Sequence, residues 1–343
     1  MSLTEHPLIL AIESSCDDTS AAVLKGTQVL SNCIATQEMH ARYGGVVPEL
    51  ASRAHQQHIV TVVKEALDTA NIAKKDLSAI AFTKGPGLLG SLLVGVSFAK
   101  SLAQALRIPL IEVNHMQAHI LAHFIDDAHP KPPSFPFLAL TVSGGHTQIV
   151  QVNAPDTFVL LGQTLDDAVG ECFDKSAKVL GFSYPGGPHI DQLAQMGDPN
   201  AFELSIPSVG GLDFSYSGLK TQFSQFVRKN SSKNAHFVTE NKNDLAASLQ
   251  RTIISSLVLK ALKAIEQTGI RQLALGGGVA ANSGLRAALR LAAQEKGFEV
   301  FMPELRYCTD NAAMIGISAY FKYLKADFSD LSVNAQARYS VQL

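Results

Sequence analysis

An excess of either charge is what this sequence most plainly lacks: 28 Lys and Arg against 30 Asp and Glu leave the 343-residue chain at a formal net charge of −2. Such a balance carries no global basic signature, so any contact with nucleic acid has to come from a local patch or a partner protein. Charged residues are sparse altogether, 17% of the chain against a usual ~25%, beside 46% apolar residues, which fits a large buried core. Cysteine is scarce too. Cys16, Cys33, Cys172 and Cys308 lie far apart with no CxxC pair, which argues for isolated thiols in a reducing compartment. No basic segment followed by a long apolar run opens the chain, so no signal peptide is expected. The most apolar long stretch, 86–106, has Lys84 and Lys100 about its core and is expected to be too short for a bilayer, which takes ~20 residues. A cytoplasmic protein with no membrane segment is the expectation.

What is present is an alternation of strand and helix patterns. Residues 8–12 form a short apolar run, SSCDDTS a polar turn, and residues 21–24 a second run, which predicts strand, turn and strand. The unit recurs as FLALTV, SGGHT and QIVQV over 137–152, so a duplicated architecture is expected. Helices are predicted over 48–71, 88–106, 165–180 and 245–268, with Gly181 capping the third. Strands are predicted at 79–83, 109–113 and 273–275, the second leading into a helix from Asn114. Residues 228–243 read as a solvated loop, and the proline-rich 126–136 as a lobe boundary. Length suggests two domains, 1–134 and 135–343, with a helical insertion at about 160–230 and a helix near 310–327 packing back on the first. The fold class is α/β with mixed sheets.

The sharpest chemical signal is HMQAH. His115 and His119, at i and i+4 on a helix, project from one face and can chelate one divalent ion; partly buried histidines bonded to backbone are the plain alternative. His123 continues the stripe beyond that pair. Metalloproteases of similar spacing place a Glu after the first His, and here Met116 stands there, so a peptidase loses its base. Asp310, in CTDNAAM before an apolar helix, is the best third ligand, and two His with one carboxylate suit Fe(II) or zinc. In LTVSGGHTQIV, Gly144 and Gly145 let backbone N–H groups approach an anion, with Ser143 and Thr147 adding hydroxyls, although a lone GG turn is usually a hairpin. SSCDDTS adds Ser14, Ser15 and Thr19, with Asp17 and Asp18 suited to a cation, a polar substrate group or support of the turn. The triple glycine 276–278 leaves room for a flat ring or ribose, Asn282 can bond a nucleotide, and a sharp turn explains the glycines as well. Asp167, Glu171 and Asp174 are placed on one face of the 165–180 helix, with Lys175 and Lys178 as counterions. A solvated face is the ordinary reading of such a stripe. The loop YPGGPHID, with Gly186, Gly187 and Asp191, favours a ribose or cation site, and GLDFSYSGLKT is either a substrate-facing loop or a packed turn.

Together IESSCDDT, YGGVVPELASR, GPGLLGSLLVG, NHMQAH, VSGGHTQ, DDAVGECFDKSAK, YPGGP, GLDFSYSGLKT, GGGVAAN and CTDNAAM resemble the universal tRNA threonylcarbamoyladenosine transferase family, once labelled O-sialoglycoprotein endopeptidase. The resemblance spans nearly the whole chain. It implies a two-lobed, duplicated actin/hexokinase/Hsp70-like (ASKHA) fold with the active site in the interlobe cleft. It also implies transfer of a threonylcarbamoyl group from threonylcarbamoyl-AMP to N6 of adenosine-37 in tRNAs reading codons that begin with A, with release of AMP. The resemblance puts one divalent metal per subunit, Fe(II) before Zn, on His115, His119 and Asp310. It puts substrate on Thr141, Val142, Ser143, Gly144, Gly145, Asp174, Gly187, Asp191 and Asn282. Asp17 or a metal-bound water is the candidate for a base. Lys84, where the family favours a small residue, is a departure that removes no motif residue. Implied partners are tRNA and, in bacteria, a paralogous ASKHA subunit (TsaB-like) and a P-loop ATPase (TsaE-like). The helices at 48–71 and 88–106 are the expected face for the paralogue. The competing readings are an ATP-dependent kinase or ATPase of the same fold, which does not need HMQAH, and a non-catalytic scaffold, which does not need the three ligands.

Overall fold

The computed structural model describes residues 4, 6–127, 131–206 and 209–342, so residues 128–130 of the proline-rich segment lie outside the described residues. In chain order come strands β1 (Leu8–Glu13), β2 (Thr19–Lys25) and β3 (Gln28–Ala35), helix α1 (Pro48–Ala70), β4 (Ala79–Gly85), α2 (Leu89–Leu106), β5 (Leu110–Asn114) and α3 (His115–Leu121). Then follow β6 (Phe137–Val142), β7 (Thr147–Ala154), β8 (Thr157–Gln163), α4 (Val169–Val179), α5 (Gly187–Ala194), α6 (Ser217–Ser231) and α7 (Phe237–Thr268). The chain ends with β9 (Gln272–Gly276), α8 (Ser283–Lys296), β10 (Glu299–Phe301) and α9 (Ala312–Leu324).

These elements make two compact units. One comprises Met1–Pro133, Asn153–Phe158 and Pro303–Leu343, the other Ser134–Val152 and Val159–Met302. The first unit holds a sheet of order β3-β2-β1-β4-β5, the second a sheet of order β10-β9-β6-β7-β8. Read from the first strand outward, the two orders are the same. In each, the opening strand pairs antiparallel with its hairpin partner and parallel with the strand that follows the helices. The repeated strand–turn–strand pattern is therefore a repeated topology.

In the first unit, β1 is buried along almost its whole length because both faces are covered, which is why LILAI is a continuous apolar run instead of an alternation. Leu10, Ile12, Val23, Ile80 and Phe82 of the sheet pack with Ile59, Val63 and Val96 of α1 and α2, and α9 lies against β1, β2, β5 and α3. Pro48 opens α1 in its first turn, and Asn71 closes it at φ 54°, its N–H returning to the carbonyls of Leu67 and Asp68. The 18-residue α2 and the 32-residue α7 are long and apolar enough to cross a membrane by length and composition, a test that core helices also pass. For α2 this corrects the reading that the stretch is too short. In the fold its Ser91, Leu92, Gly95, Val96, Ala99 and Ala103 are buried, and the helix packs on α1 and β4.

Two further expectations are corrected in the second unit. Residues 228–243 are mostly helical: α6 runs to Ser231 and α7 starts at Phe237. Phe202, Phe226 and Phe237 form one ring cluster there, an anchor that a window of Asn, Ser and Lys conceals. The helix predicted from Leu165 starts only at Val169. Residues 164–167 are tied to 214–217 instead. Thr164 bridges Phe214, and the Asp166 carboxylate accepts from the hydroxyls of Ser215 (2.6 Å) and Ser217 (2.7 Å) and the N–H of Tyr216 (2.8 Å).

Candidate metal centre and substrate turns

Three neighbouring strands of the first unit, β1, β4 and β5, run parallel and end together, and their C-terminal ends carry the site. Chain leaving β5 turns directly into α3, because Asn114 caps it: its Oδ1 accepts from the N–H of Met116 (2.9 Å) and Gln117 (3.2 Å). His115 and His119 are thereby set one turn apart, both buried, with ring centroids 4.7 Å apart. Asp310 arrives from the turn before α9, whose start is fixed by Asn311 capping Met314 N–H at 3.0 Å. Its Oδ1 lies 3.1 Å from His119 Nε2 and 3.4 Å from His115 Nε2. One ligand atom from each of these residues lies within 4.8 Å of the others, the only such cluster of three among the described residues.

The electrostatics of the cluster ask for a cation. Burial opposes charge on every member, yet Asp310 and Glu13 together hold His115 well above its ordinary pKa. The same His115 charge holds Asp310 and Glu13 below theirs against the cost of burial. His119, where burial dominates, is held below its ordinary value. The two imidazoles and the partly buried Asp310 carboxylate, with the buried Glu13 carboxylate behind them, are a donor set that a divalent ion fits. Neutral imidazole nitrogens and a carboxylate oxygen are its ordinary ligands.

Among the nearby residues, His123 is buried in the short turn 122–124 after α3 and is not part of the cluster. Asp17 is half-buried in the SSCDDTS turn, where it accepts a hydrogen bond from the Cys16 thiol. Burial, then the neighbouring Asp17, push Asp18 up to about 7. Burial, then Asp17, Asp310 and Glu13, push the Cys16 thiol far up, so it supplies no thiolate nucleophile. Lys84 is committed to an ion pair with Glu112 at 2.8 Å.

The other predicted residues lie in the second unit and form three linked groups. Thr141 and Val142 are buried at the end of β6, and the turn that follows closes through Ser143 N–H to the His146 carbonyl (2.8 Å). A Cβ on Gly144 or Gly145 would meet nothing within 4 Å, so these glycines answer to no contact inside the chain. Gly170 and Gly277, which the sequence did not single out for this turn, are the ones it cannot spare. A Cβ on Gly170 would stand 2.6 Å from the Ser143 carbonyl, and one on Gly277 would stand 2.4 Å from that of Val142. One turn along α4, the Asp174 carboxylate accepts from Gly186 N–H (2.7 Å) and Gly187 N–H (3.3 Å), although burial pushes its pKa up. Gly186, not Gly187, is the sterically required member, since its Cβ would stand 2.4 Å from Ala177 Cβ. Asp191 lies inside α5, not in a loop, and accepts from Gln250 and from both the N–H and hydroxyl of Ser283. Asn282 caps α8 through Leu285 N–H and donates to Gln250 at 2.7 Å. Gln250 thus joins Asp191 to Asn282 and is itself a residue the sequence reading missed. The acidic stripe does not exist as expected: Asp167 precedes α4 and pairs with Lys220, and Asp174 is spent on the 186–187 backbone.

Against known proteins, the model of the TsaD family, tRNA N6-adenosine threonylcarbamoyltransferase, matches residues 28–317. The chain belongs to this family. It is 62% identical to the tRNA N6-adenosine threonylcarbamoyltransferase of Christiangramia forsetii over 96% of its length and 97% of that protein. It is 55% identical to the same-named protein of Riemerella anatipestifer over 99% of both. Among solved structures, full-length HypF in its phosphate- and nucleotide-bound form superposes with a TM-score of 0.64 at 15% identity, over 95% of this chain and 48% of HypF. The ROK hexokinase of Thermus thermophilus superposes with a TM-score of 0.52 at 16% identity, over 93% of this chain and 99% of that one. At such identities the likeness establishes the fold, the duplicated ASKHA type, and not a kinase activity. In this TsaD-family chain the two histidines and Asp310 stand together as one cluster.

Proposed function

We propose that the protein transfers the threonylcarbamoyl group of threonylcarbamoyl-AMP to N6 of adenosine-37 in tRNAs reading codons that begin with A, and releases AMP. The observation that carries this reading is identity of 62% across nearly the whole chain to a protein named for that transfer. The donor is a mixed anhydride with a good leaving group, so no protein nucleophile is required. The adenosine N6 forms its bond to the carbamoyl carbon, the carbon–oxygen bond to AMP breaks, and N6 gives up a proton. Orientation and charge stabilisation are what the chain has to provide.

His115, His119 and Asp310 are the residues that would hold one divalent ion; two imidazoles and a carboxylate suit Fe(II) or zinc, and the family resemblance favours Fe(II). When bound, it supplies Lewis-acid stabilisation and a template for the donor. The open Gly144–Gly145 turn offers backbone N–H groups to the AMP phosphate without a side chain in the way. Asp191 and Asn282, held by Gln250, are suited to the ribose and base edges. We infer further a cytoplasmic enzyme that works with tRNA, a paralogous TsaB-like subunit and a TsaE-like P-loop ATPase.

The test supplies the protein and these partners with tRNA, ATP, bicarbonate, labelled threonine and the synthase that makes the intermediate. Label is expected on tRNA with wild type and not with the double variant His115→Ala, His119→Ala. Absence of any metal-dependent transfer in the complete system would sink the assignment.

A further inference from the structure

One fully buried carboxylate at the metal centre belongs to none of its ligands. Glu13 closes β1 after an apolar run, has no exposure to solvent, and is not among the residues picked out by motif spacing. Its Oε1 accepts from Ser15 N–H at 2.5 Å, and its Oε2 accepts from the Thr83 hydroxyl at 2.6 Å. The same Oε2 lies 3.0 Å from His115 Nδ1, nearer than the Ser15 hydroxyl, which stands 3.2 Å from that nitrogen. The ring's other nitrogen, Nε2, faces Asp310. His119 has no such support, for its Nδ1 is buried without a hydrogen-bond partner.

A buried carboxylate is costly to keep charged unless it is paired, and an apolar residue would suit this strand end better. What Glu13 provides in return is direction. Thr83 on the adjacent strand and the Ser15 amide fix the carboxylate, and the fixed carboxylate accepts from only one nitrogen of the His115 ring. We propose that Glu13 is the positioning residue of the metal centre: it takes the Nδ1–H of His115, leaving the Nε2 lone pair aimed at the ion, with Thr83 holding Glu13 in turn. His115 is then the ligand oriented from behind, while the far nitrogen of His119 has no such partner. This rests on the ligand set proposed above, and the test separates the two.

Co(II) is titrated into the metal-free protein and followed by its visible absorption and by the hyperfine-shifted exchangeable protons of the bound histidines. Wild type should show a slowly exchanging Nδ1–H signal from His115. Glu13→Gln, which keeps size and shape, should lose that signal and weaken Co(II) binding by about 10–100-fold, the range typical of removing a partner behind a metal-bound histidine. Thr83→Val, which leaves the carboxylate but not its anchor, should give a smaller loss in the same direction and serves if Glu13→Gln folds poorly. Asp18→Asn removes a carboxylate from the same turn that touches neither histidine, and should leave the Nδ1–H signal in place. If wild type binds no Co(II), or His115→Ala binds it as well as wild type does, the ligand set itself is wrong. If wild type binds through His115, and Glu13→Gln or Thr83→Val in folded protein keeps both affinity and the protected proton, the proposal about Glu13 is overturned.

Discussion

At the scale of single residues, the carboxylates divide by what they face. Asp166 is a surface example of a group whose charge is used structurally. Burial works against it, but the hydroxyls of Ser215 and Ser217 and the N–H groups of Tyr216 and Ser217 outweigh that and hold it at about 2. Those N–H groups open α6, so the carboxylate caps that helix from 50 residues away in sequence. Because the folded pKa is depressed, its contribution is complete above the unfolded value near 3.8 and is lost as pH falls toward 2. Asp166→Ala should therefore lower the unfolding free energy at neutral pH by about 1 kcal/mol, as for loss of a helix cap. The gap between the two proteins should close in acid. A gap that stays constant from pH 6 to pH 3 would show that the charge contributes nothing. Glu13 was illegible for a related reason. A Glu after LILAI reads as the polar end of a strand, and only the fold brings His115, 102 residues on, to its oxygen.

Among the elements, helix α3 depends on a part of the chain with no regular structure. Residues after α9 return along the first unit. Ser329 bridges Leu110, Gln336 N–H donates to the Lys84 carbonyl at 2.8 Å, and Gly87 N–H donates to that of Ala337 at 3.1 Å. The strap ends over α3, where Asn114 Nδ2 donates to the Ser340 carbonyl (2.6 Å) and Gln117 Nε2 to that of Val341 (2.8 Å). Both donors flank His115. Removing residues 329–342 should therefore speed amide hydrogen exchange in 114–121 more than in α1, and loosen metal binding. Gly85→Ala should act in the same direction, since its Cβ would stand 1.9 Å from the Gln336 carbonyl oxygen, an overlap worth about 1–3 kcal/mol of strain. Equal protection of α3 with and without the strap would refute the link. None of this was visible in sequence, because a segment of Ser, Asp, Asn and Gln has no period, and its partners are backbone groups of distant strands. The regular elements were visible. Apolar runs and their turns announced β1, β2, β6 and β7, and Pro48 and Asn71 bracketed α1. The helix ends at Val169 and Ser231 escaped because Asp166 and the Phe202–Phe226–Phe237 cluster, both tertiary, decide them.

For the molecule as a whole, the repeated order of the two sheets explains why the site residues divide as they do. The proposed metal ligands sit at the strand ends of one unit and the glycine turn at the strand ends of the other. The duplication does not make the outer faces alike. On the first unit, α1 and α2 flank a shallow, open groove of about 610 Å³ lined by Ser52, Gln56, Ile59, Leu93, Val94 and Phe98. Leu93 is 47% exposed there, and on the same two helices Leu89 is 51% and Val60 63% exposed. Small residues in the groove, Ser52, Gly90, Ser97 and Ser101, let a helix from another chain approach closely. Because the proposed partner is a paralogue of the same fold, it would bring an equivalent helix pair, and apolar faces of this kind suit such a pairing. A charge at the centre of the groove would be buried unpaired on association, at a cost exceeding what one apolar contact returns. Leu93→Asp should therefore abolish co-purification with the TsaB-like subunit while leaving the far-ultraviolet spectrum and Co(II) binding of the isolated protein unchanged. Asp substitution at Leu259, which is 65% exposed on α7 of the other unit, should leave the pairing intact. If Leu93→Asp co-purifies as well as wild type does, the partner docks elsewhere.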